Sequence, residues 1–188
     1  MKLWLCVIIL ALLAGAAFAD PLPEFRLPDE TGKNVALSDL VGKGPLIVDF
    51  WADYCQPCKL AMPHLDALAR KYDSLTVVLV SLDAPKAQAK ARAFLKSKDY
   101  KFVTLFDPDK TLAKKLNVVN PPHTFIVNKE GEIVWSHLGF EAGAEKEYEA
   151  QVRQVMGLEE EKAGEEKDCD CPPDCPGRAS KEACGCED

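Results

Sequence analysis

Two cysteines separated by two residues, Cys55 and Cys58, are the side chains of this sequence best suited to chemistry. They follow a β-rich apolar run, 45–51, and open a segment of helical periodicity, 58–72. Two intervening residues let both thiols meet in one helical turn and close a disulfide with little movement. The free N–H groups and dipole of a helix start stabilise a thiolate, the reacting form of cysteine. Because Cys55 is nearer that terminus and less buried, we predict that it is the nucleophile and that Cys58 is the resolving thiol.

Two other roles for such a pair fit the sequence less well. A zinc site needs two further ligands at matching spacing, and the remaining candidates in the globular part are scattered histidines: His64, His123 and His137. A purely structural disulfide would close so short a loop that it would stabilise little. The sequence therefore predicts a redox pair.

The elements that must position this pair alternate between strand and helix patterns. Strands are predicted at 45–51, 75–81 and 102–106, and a Gly-containing hairpin at 124–127 and 132–135. Helices are predicted at 58–72, 85–98, 109–116 and 144–156, the third capped by Asp109. An extra hairpin over 24–38 is expected to turn at Thr31-Gly32. This order predicts an α/β fold with βαβ units and a sheet covered on both faces.

The segment VDFWADYCQPCKLAMP resembles the active-site segment of thioredoxins. A second motif, NVVNPPHTF at 117–125, resembles the loop in which a cis-proline faces the redox pair. The leading hairpin and the helix at 85–98 are similar to those of TlpA/ResA-like thiol–disulfide oxidoreductases in the thioredoxin-like superfamily. Over residues 24–157 this resemblance implies a three-layer thioredoxin-like fold: a central mixed sheet flanked by helices, with an N-terminal β-hairpin and an inserted helix.

The resemblance also implies roles for individual residues. Asp49 matches the buried acid that exchanges a proton with the resolving thiol, and Pro122 matches the cis-proline. Substrate contacts are expected from the residues around both motifs: Tyr54, Gln56, Pro57, Pro121 and His123. Protein thiols and disulfides are the implied partners, and the Cys55–Cys58 disulfide is the only redox group required. One departure is Ala61, which stands where many TlpA/ResA-like proteins have Glu.

The N-terminus has the layout of a secretory signal peptide. Lys2 precedes an unbroken apolar run, 3–19, which ends in the small-residue pattern Ala17-Phe18-Ala19. We predict a signal peptide over 1–19 and export, most simply to a bacterial periplasm or another extracytoplasmic space. Membrane contact is then expected only if this segment is left uncleaved. Exported thiols stay reduced only with a dedicated electron supply, so a membrane-bound electron donor is a predicted partner.

The chain beyond Gly157 differs in composition from the predicted domain at 20–157. It carries 11 of the 30 acidic residues and only 4 of the 23 basic ones. The predicted domain is nearly neutral, so the sequence has none of the basic surface that nucleic-acid binding requires. Residues 158–188 have no periodic apolar face and are predicted to form an acidic tail without a packed core.

The tail contains five of the eight cysteines: Cys169, Cys171, Cys175, Cys184 and Cys186. Clustered thiolates suit Zn or Cu(I), but no Cys-x2-Cys spacing is present. Three other interpretations of the tail remain open. It could be a disulfide-bonded extension, an internal substrate of Cys55, or a solvated tail with variably paired thiols. The alternative function is therefore a metal-binding or metal-delivering module whose thioredoxin domain keeps the tail reduced.

Overall fold

The computed structural model describes residues 20–158 of the chain. The strands are β1 Asp20–Pro21, β2 Arg26–Pro28, β3 Asn34–Ala36, β4 Leu46–Trp51, β5 Thr76–Ser81, β6 Val103–Phe106, β7 His123–Val127 and β8 Glu132–Leu138. The α-helices are α1 Gln56–Lys71, α2 Gln88–Lys96, α3 Thr111–Lys115 and α4 Ala144–Val155, and a 3-10 turn covers Leu37–Asp39. In this part of the chain no helix is long and apolar enough to cross a membrane. The predicted signal peptide at 1–19 and the tail from Glu159 onward lie outside the described residues.

Six strands form one mixed sheet in the order β1-β8-β7-β4-β5-β6. The β4, β5 and β6 strands are parallel and are joined through α1 and α2, whereas β7, β8 and β1 run antiparallel. β4 is central, and all six of its residues are buried, as its uninterrupted apolar sequence requires. The remaining two strands, β2 and β3, form the predicted N-terminal hairpin.

The two faces of the sheet carry separate hydrophobic cores. Side chains alternate along a strand, so Ile47 and Trp51 of β4 pack with α1, α2 and α4. Leu46, Val48 and Phe50 point to the opposite face, where the hairpin region and α3 cover them. The fold therefore has three layers. Helices cover one face of the mixed sheet, and the hairpin with a short helix covers the other. The predicted fold class is confirmed.

Several element boundaries differ from the predicted ones. The helix predicted at 85–98 begins at Gln88 and ends at Lys96, so Pro85 lies outside it. The prediction that Asp109 caps the next helix is wrong, because α3 begins at Thr111. The Asp107 carboxylate accepts the backbone N–H groups of Thr111 at 2.7 Å and Ala113 at 2.9 Å instead. A carboxylate at that position satisfies two of the N–H donors that a helix start leaves free.

Candidate active site

Cys55 and Cys58 form a disulfide at the beginning of α1, with 5.4 Å between their Cα atoms. Cys55 is the N-cap residue, and its Sγ accepts the backbone N–H of Cys58 at 3.2 Å. Pro57 lies in the first turn, where its missing N–H costs no helical hydrogen bond. The local sequence thus directs free backbone donors towards the sulfur of Cys55, which favours its thiolate once the disulfide is reduced.

The two cysteines differ slightly in exposure. Cys55 is 5% exposed and Cys58 is fully buried. Of the two, Cys55 is therefore the one nearer to an approaching substrate. This order of burial agrees with the predicted division into attacking and resolving thiols.

The peptide bond between Pro121 and Pro122 is cis, as the second motif predicts. β7 begins at the next residue, His123, which pairs with Phe50 at the end of β4. The carbonyl of Pro122 accepts the N–H of Gly139 at 2.8 Å, which ties the loop to the end of β8. Since β4 runs from this point directly towards Cys55, the cis-proline loop and the redox pair share one end of the sheet.

Asp49 is completely buried in the middle of β4. It alternates with Ile47 and Trp51, so its side chain lies on the face where Cys58 and α1 pack. The Thr124 hydroxyl donates to Asp49 Oδ1 at 2.7 Å. Burial raises the pKa of Asp49 to about 7, and the Thr124 hydrogen bond opposes that rise. A carboxyl that titrates near neutrality can both accept and return a thiol proton.

The residues predicted to contact substrate do not all face the same way. Tyr54 is 71% exposed beside Cys55, and Gln56 and Pro57 are exposed in the first turn of α1, whereas Pro121 is partly buried. His123 alternates with Thr124 and so points to the opposite face, where its ring stacks on Phe125 at 4.3 Å. Burial lowers the pKa of His123, and the nearby His137 lowers it further.

Two exposed apolar side chains at the same end of the sheet were not identified from the sequence. Val119, just before the cis-proline loop, is 79% exposed, and Leu138, which pairs with His123, is 65% exposed. The signal for Val119 was its place in the loop motif. Leu138 had no local signal, because only the β7–β8 register brings it to the loop.

A buried carboxylate anchors the loop that carries Cys55, and sequence reasoning also missed it. Asp83, just after β5, is 3% exposed. It accepts the backbone N–H of Asp53 at 3.0 and 3.2 Å and the Ser81 hydroxyl at 2.9 Å. Asp53 in turn binds Lys59 Nζ at 3.0 Å. The carboxyl ends of neighbouring parallel strands meet at one edge of a sheet, which is the signal that could have found this contact.

We expect Asp83→Ala to destabilise the domain and to slow disulfide reduction. Leaving the partly buried Asp53 N–H unpaired costs up to about 1–3 kcal/mol, which denaturant unfolding measures. Asp83→Asn keeps one acceptor oxygen, so its free energy of unfolding should fall less than that of Asp83→Ala. Asp73→Ala is the control, because that side chain is fully exposed. Equal unfolding free energies for the Asp83→Ala and Asp73→Ala variants would contradict the anchoring role.

Among residues 20–158, no group of three or more His, Cys, Asp or Glu side chains is placed to hold a metal ion. His64 is exposed, with its ring 5.6 Å from that of Phe140, and His137 stacks on Trp135. The five tail cysteines predicted as candidate ligands lie outside the described residues.

Comparison with known proteins agrees with this site and fold. The model of the AhpC/TSA family matches residues 18–136. The chain is 32% identical over 149 residues to the thiol–disulfide oxidoreductase ResA of Bacillus cereus, across 71% of this chain and 86% of that protein. The match to ResA of Bacillus subtilis is shorter, at 33% over 112 residues, and spans 60% of this chain and 62% of that protein.

Solved structures give the same result. A putative thiol:disulfide interchange protein DsbE from Chlorobium tepidum superposes with a TM-score of 0.69 at 32% identity, covering 74% of this chain and 97% of that one. The chain belongs to the AhpC/TSA family and, within it, to the ResA-like thiol–disulfide oxidoreductases with a thioredoxin-like fold. The resemblance predicted from the two motifs is confirmed.

Proposed function

We propose that this protein is an exported oxidoreductase that reduces or isomerises disulfides in other proteins through Cys55 and Cys58. The observation that carries the proposal is the position of their disulfide at the start of α1, with Cys55 5% exposed and Cys58 fully buried. The cis peptide bond before Pro122 lies at the same end of the sheet as the pair, which supports the proposal further.

The proposed reaction begins with the reduced pair. The Cys55 thiolate attacks one sulfur of a substrate disulfide, which forms a mixed disulfide and releases the other substrate sulfur as a thiolate. Cys58 then gives its proton to Asp49 and attacks Cys55, which closes the Cys55–Cys58 disulfide and frees the second substrate thiolate. Two electrons pass from the cysteine pair to the substrate. Solvent protonates the substrate thiolates and takes the proton from Asp49.

The insertion between β5 and β6 favours a reductase or isomerase over a strong oxidant. It contains the single nine-residue helix α2 and adds no helical subdomain of the kind found in DsbA-like oxidants. The substrate side chains would lie against exposed apolar groups near the pair, among them Tyr54 and Val119.

The proposed location is outside the cytoplasm, and a bacterial periplasm fits best. The support is the signal-peptide pattern at 1–19. In an oxidising compartment the pair returns to its dithiol form only if a partner supplies electrons, so a membrane-bound donor is part of the proposal. The alternative of metal delivery rests on the tail alone, and nothing in residues 20–158 favours it.

The reduction potential of the Cys55–Cys58 couple tests the direction of electron flow. We expect a value near that of thioredoxin, about −270 mV, because the surrounding organisation is thioredoxin-like. Equilibration in thiol redox buffers, acid quenching, alkylation and peptide mass spectrometry reports this pair separately from the tail cysteines. A value near that of DsbA, about −120 mV, would make the protein an oxidant and contradict the proposed direction.

A further inference from the structure

The two oxygens of the buried Asp49 carboxyl have different surroundings. Oδ1 accepts the Thr124 hydroxyl at 2.7 Å. Oδ2 is buried and has no hydrogen-bond partner among residues 20–158. An unpaired carboxylate oxygen in a low-dielectric interior is costly. It is therefore the oxygen with most to gain from a proton.

A second hydroxyl continues the chain that begins at Asp49. The Tyr148 Oη lies 3.1 Å from Thr124 Oγ1 and 3.4 Å from the carbonyl oxygen of Gly139. Thr124 has one hydroxyl proton, and it donates this proton in the hydrogen bond to Asp49 Oδ1. In the shorter of its two contacts, Tyr148 is then the donor and Thr124 the acceptor, so both hydroxyls point towards the carboxylate. Such a chain polarises its members and strengthens each bond.

The fold holds both hydroxyls rigidly. Thr124 lies opposite Asp49 in the β4–β7 register and is 1% exposed. Tyr148 comes from α4, is also 1% exposed, and packs edge-on against Trp135 and Phe140. Neither side chain has room to turn away to water, so one oxygen of the Asp49 carboxyl keeps a hydroxyl donor and the other is left without one.

We propose that Thr124 and Tyr148 are positioning residues that occupy Asp49 Oδ1 and so leave Oδ2 to take the proton of Cys58. The inference rests on the proposed function, since it concerns the resolving step of that reaction. In that step the Cys58 S–H bond breaks, its proton passes to Oδ2, and the Cys58 thiolate attacks the Cys55 sulfur of the mixed disulfide. The substrate sulfur leaves with the electron pair of the broken S–S bond.

Few other titratable groups face this carboxyl. β5 presents the apolar Leu79 opposite it, and α1 presents Cys58 from the same core. From α4 comes Tyr148, whose pKa burial raises to about 12, so it stays protonated near neutral pH. β8 contributes His137 opposite Thr124, and Glu147 Oε2 lies 3.9 Å from His137 Nδ1. Among the described residues, His137 and Glu147 are therefore the further ionisable side chains beside this hydroxyl chain, and the test observes His137 as well as Asp49.

The test uses variants that remove one hydroxyl each from the full mature chain. Thr124→Val keeps the branched shape and removes the donor, Thr124→Ser restores it, and Tyr148→Phe removes the second hydroxyl. Tyr72→Phe is the matched control, because it removes a tyrosine hydroxyl bonded to Glu149 at 2.9 Å, away from Asp49. Carboxyl 13C NMR of the oxidised protein gives the pKa of Asp49, and imidazole signals give that of His137. Decay of the mixed disulfide, followed by acid quench and mass spectrometry, gives the pH profile of the resolving step.

Loss of a charge-assisted hydrogen bond in Thr124→Val is expected to raise the pKa of Asp49 by about one unit. The midpoint of the resolving step should move up with it, and the rate at pH 7 should fall about fivefold. Tyr148→Phe should shift both in the same direction by less, and Thr124→Ser and Tyr72→Phe should match the wild type.

Unchanged Asp49 titration and an unchanged pH midpoint in both Thr124→Val and Tyr148→Phe would overturn the inference, even if either variant melted earlier. If Thr124→Val does not fold, Tyr148→Phe decides alone. A wild-type protein that forms no mixed disulfide would refute the proposed function, whereas the NMR titration of the oxidised variants would still judge the hydroxyl chain.

Discussion

Replacing Cys55 with Ser is expected to abolish disulfide reduction. Replacing Cys58 with Ser is expected to stop the reaction at the mixed disulfide between Cys55 and the substrate. Cys55 is the less buried residue of the pair, and its Sγ accepts a backbone N–H at the start of α1. A serine hydroxyl is not ionised at neutral pH and cannot exchange with a disulfide, because the thiolate is the reacting species. Insulin reduction driven by dithiothreitol measures the loss, which should reach the rate without protein.

The Cys58→Ser variant supplies the comparison that separates the two roles. It keeps the nucleophile and lacks the resolving thiol, so covalent adducts of substrate on Cys55 should accumulate and be visible on non-reducing gels. Full insulin reduction by Cys55→Ser would show that the tail cysteines, and not this pair, carry the activity. Equal trapping by both variants would remove the assignment of attacking and resolving thiols.

Asp49→Asn is expected to slow the resolving step by about 10²-fold at neutral pH, the lower end of what general acid–base catalysis contributes. The pKa of Asp49 is about 7 because burial disfavours its charge. Only the ionised form can accept the Cys58 proton, so the wild-type rate should rise with pH through 7 and then level. Asn cannot accept this proton, so the rate of this variant should rise only at a higher pH, where the Cys58 thiol loses its proton without that acceptor.

The same substitution should stabilise the folded domain above neutral pH. The folded pKa of Asp49, about 7, is raised above its ordinary value of 3.8. Its contribution to stability is therefore complete below pH 3.8 and is lost as pH rises through about 7. A rise of this size corresponds to roughly 4 kcal/mol, most of which Asp49→Asn should recover at pH 8.

Unfolding curves at pH 5 and pH 8 measure this difference. Asp109→Asn serves as the control, because that aspartate is exposed beside α3 on the opposite face of the sheet. If the stability of the wild type and of Asp49→Asn depended on pH in the same way, Asp49 would be ionised at both pH values. If the rate of the resolving step in the wild type showed no inflection near pH 7, Asp49 would not take part in the proton transfer.

Local sequence was enough to predict the redox pair and its surroundings along the chain. Cys55, Cys58 and Pro57 lie within four consecutive residues, and their geometry follows from the start of one helix. The apolar run of β4 predicted a buried strand, and all six residues are buried. The resemblance of two separate motifs added the cis bond before Pro122 and the burial of Asp49.

The sequence by itself therefore determined the redox class of this protein's chemistry, its fold, and the cysteine pair that we propose carries the reaction. Tertiary structure alone decided which groups contact Asp49 and the loop before that pair. Thr124 lies 75 residues from Asp49, and Asp83 lies 30 residues from Asp53. Those contacts depend on sheet register and on helix packing, in which each side chain is placed by a strand or helix distant in the chain. No local pattern of residues predicts such long-range contacts, so only the folded molecule shows the two hydroxyls that are hydrogen-bonded in a chain to Asp49.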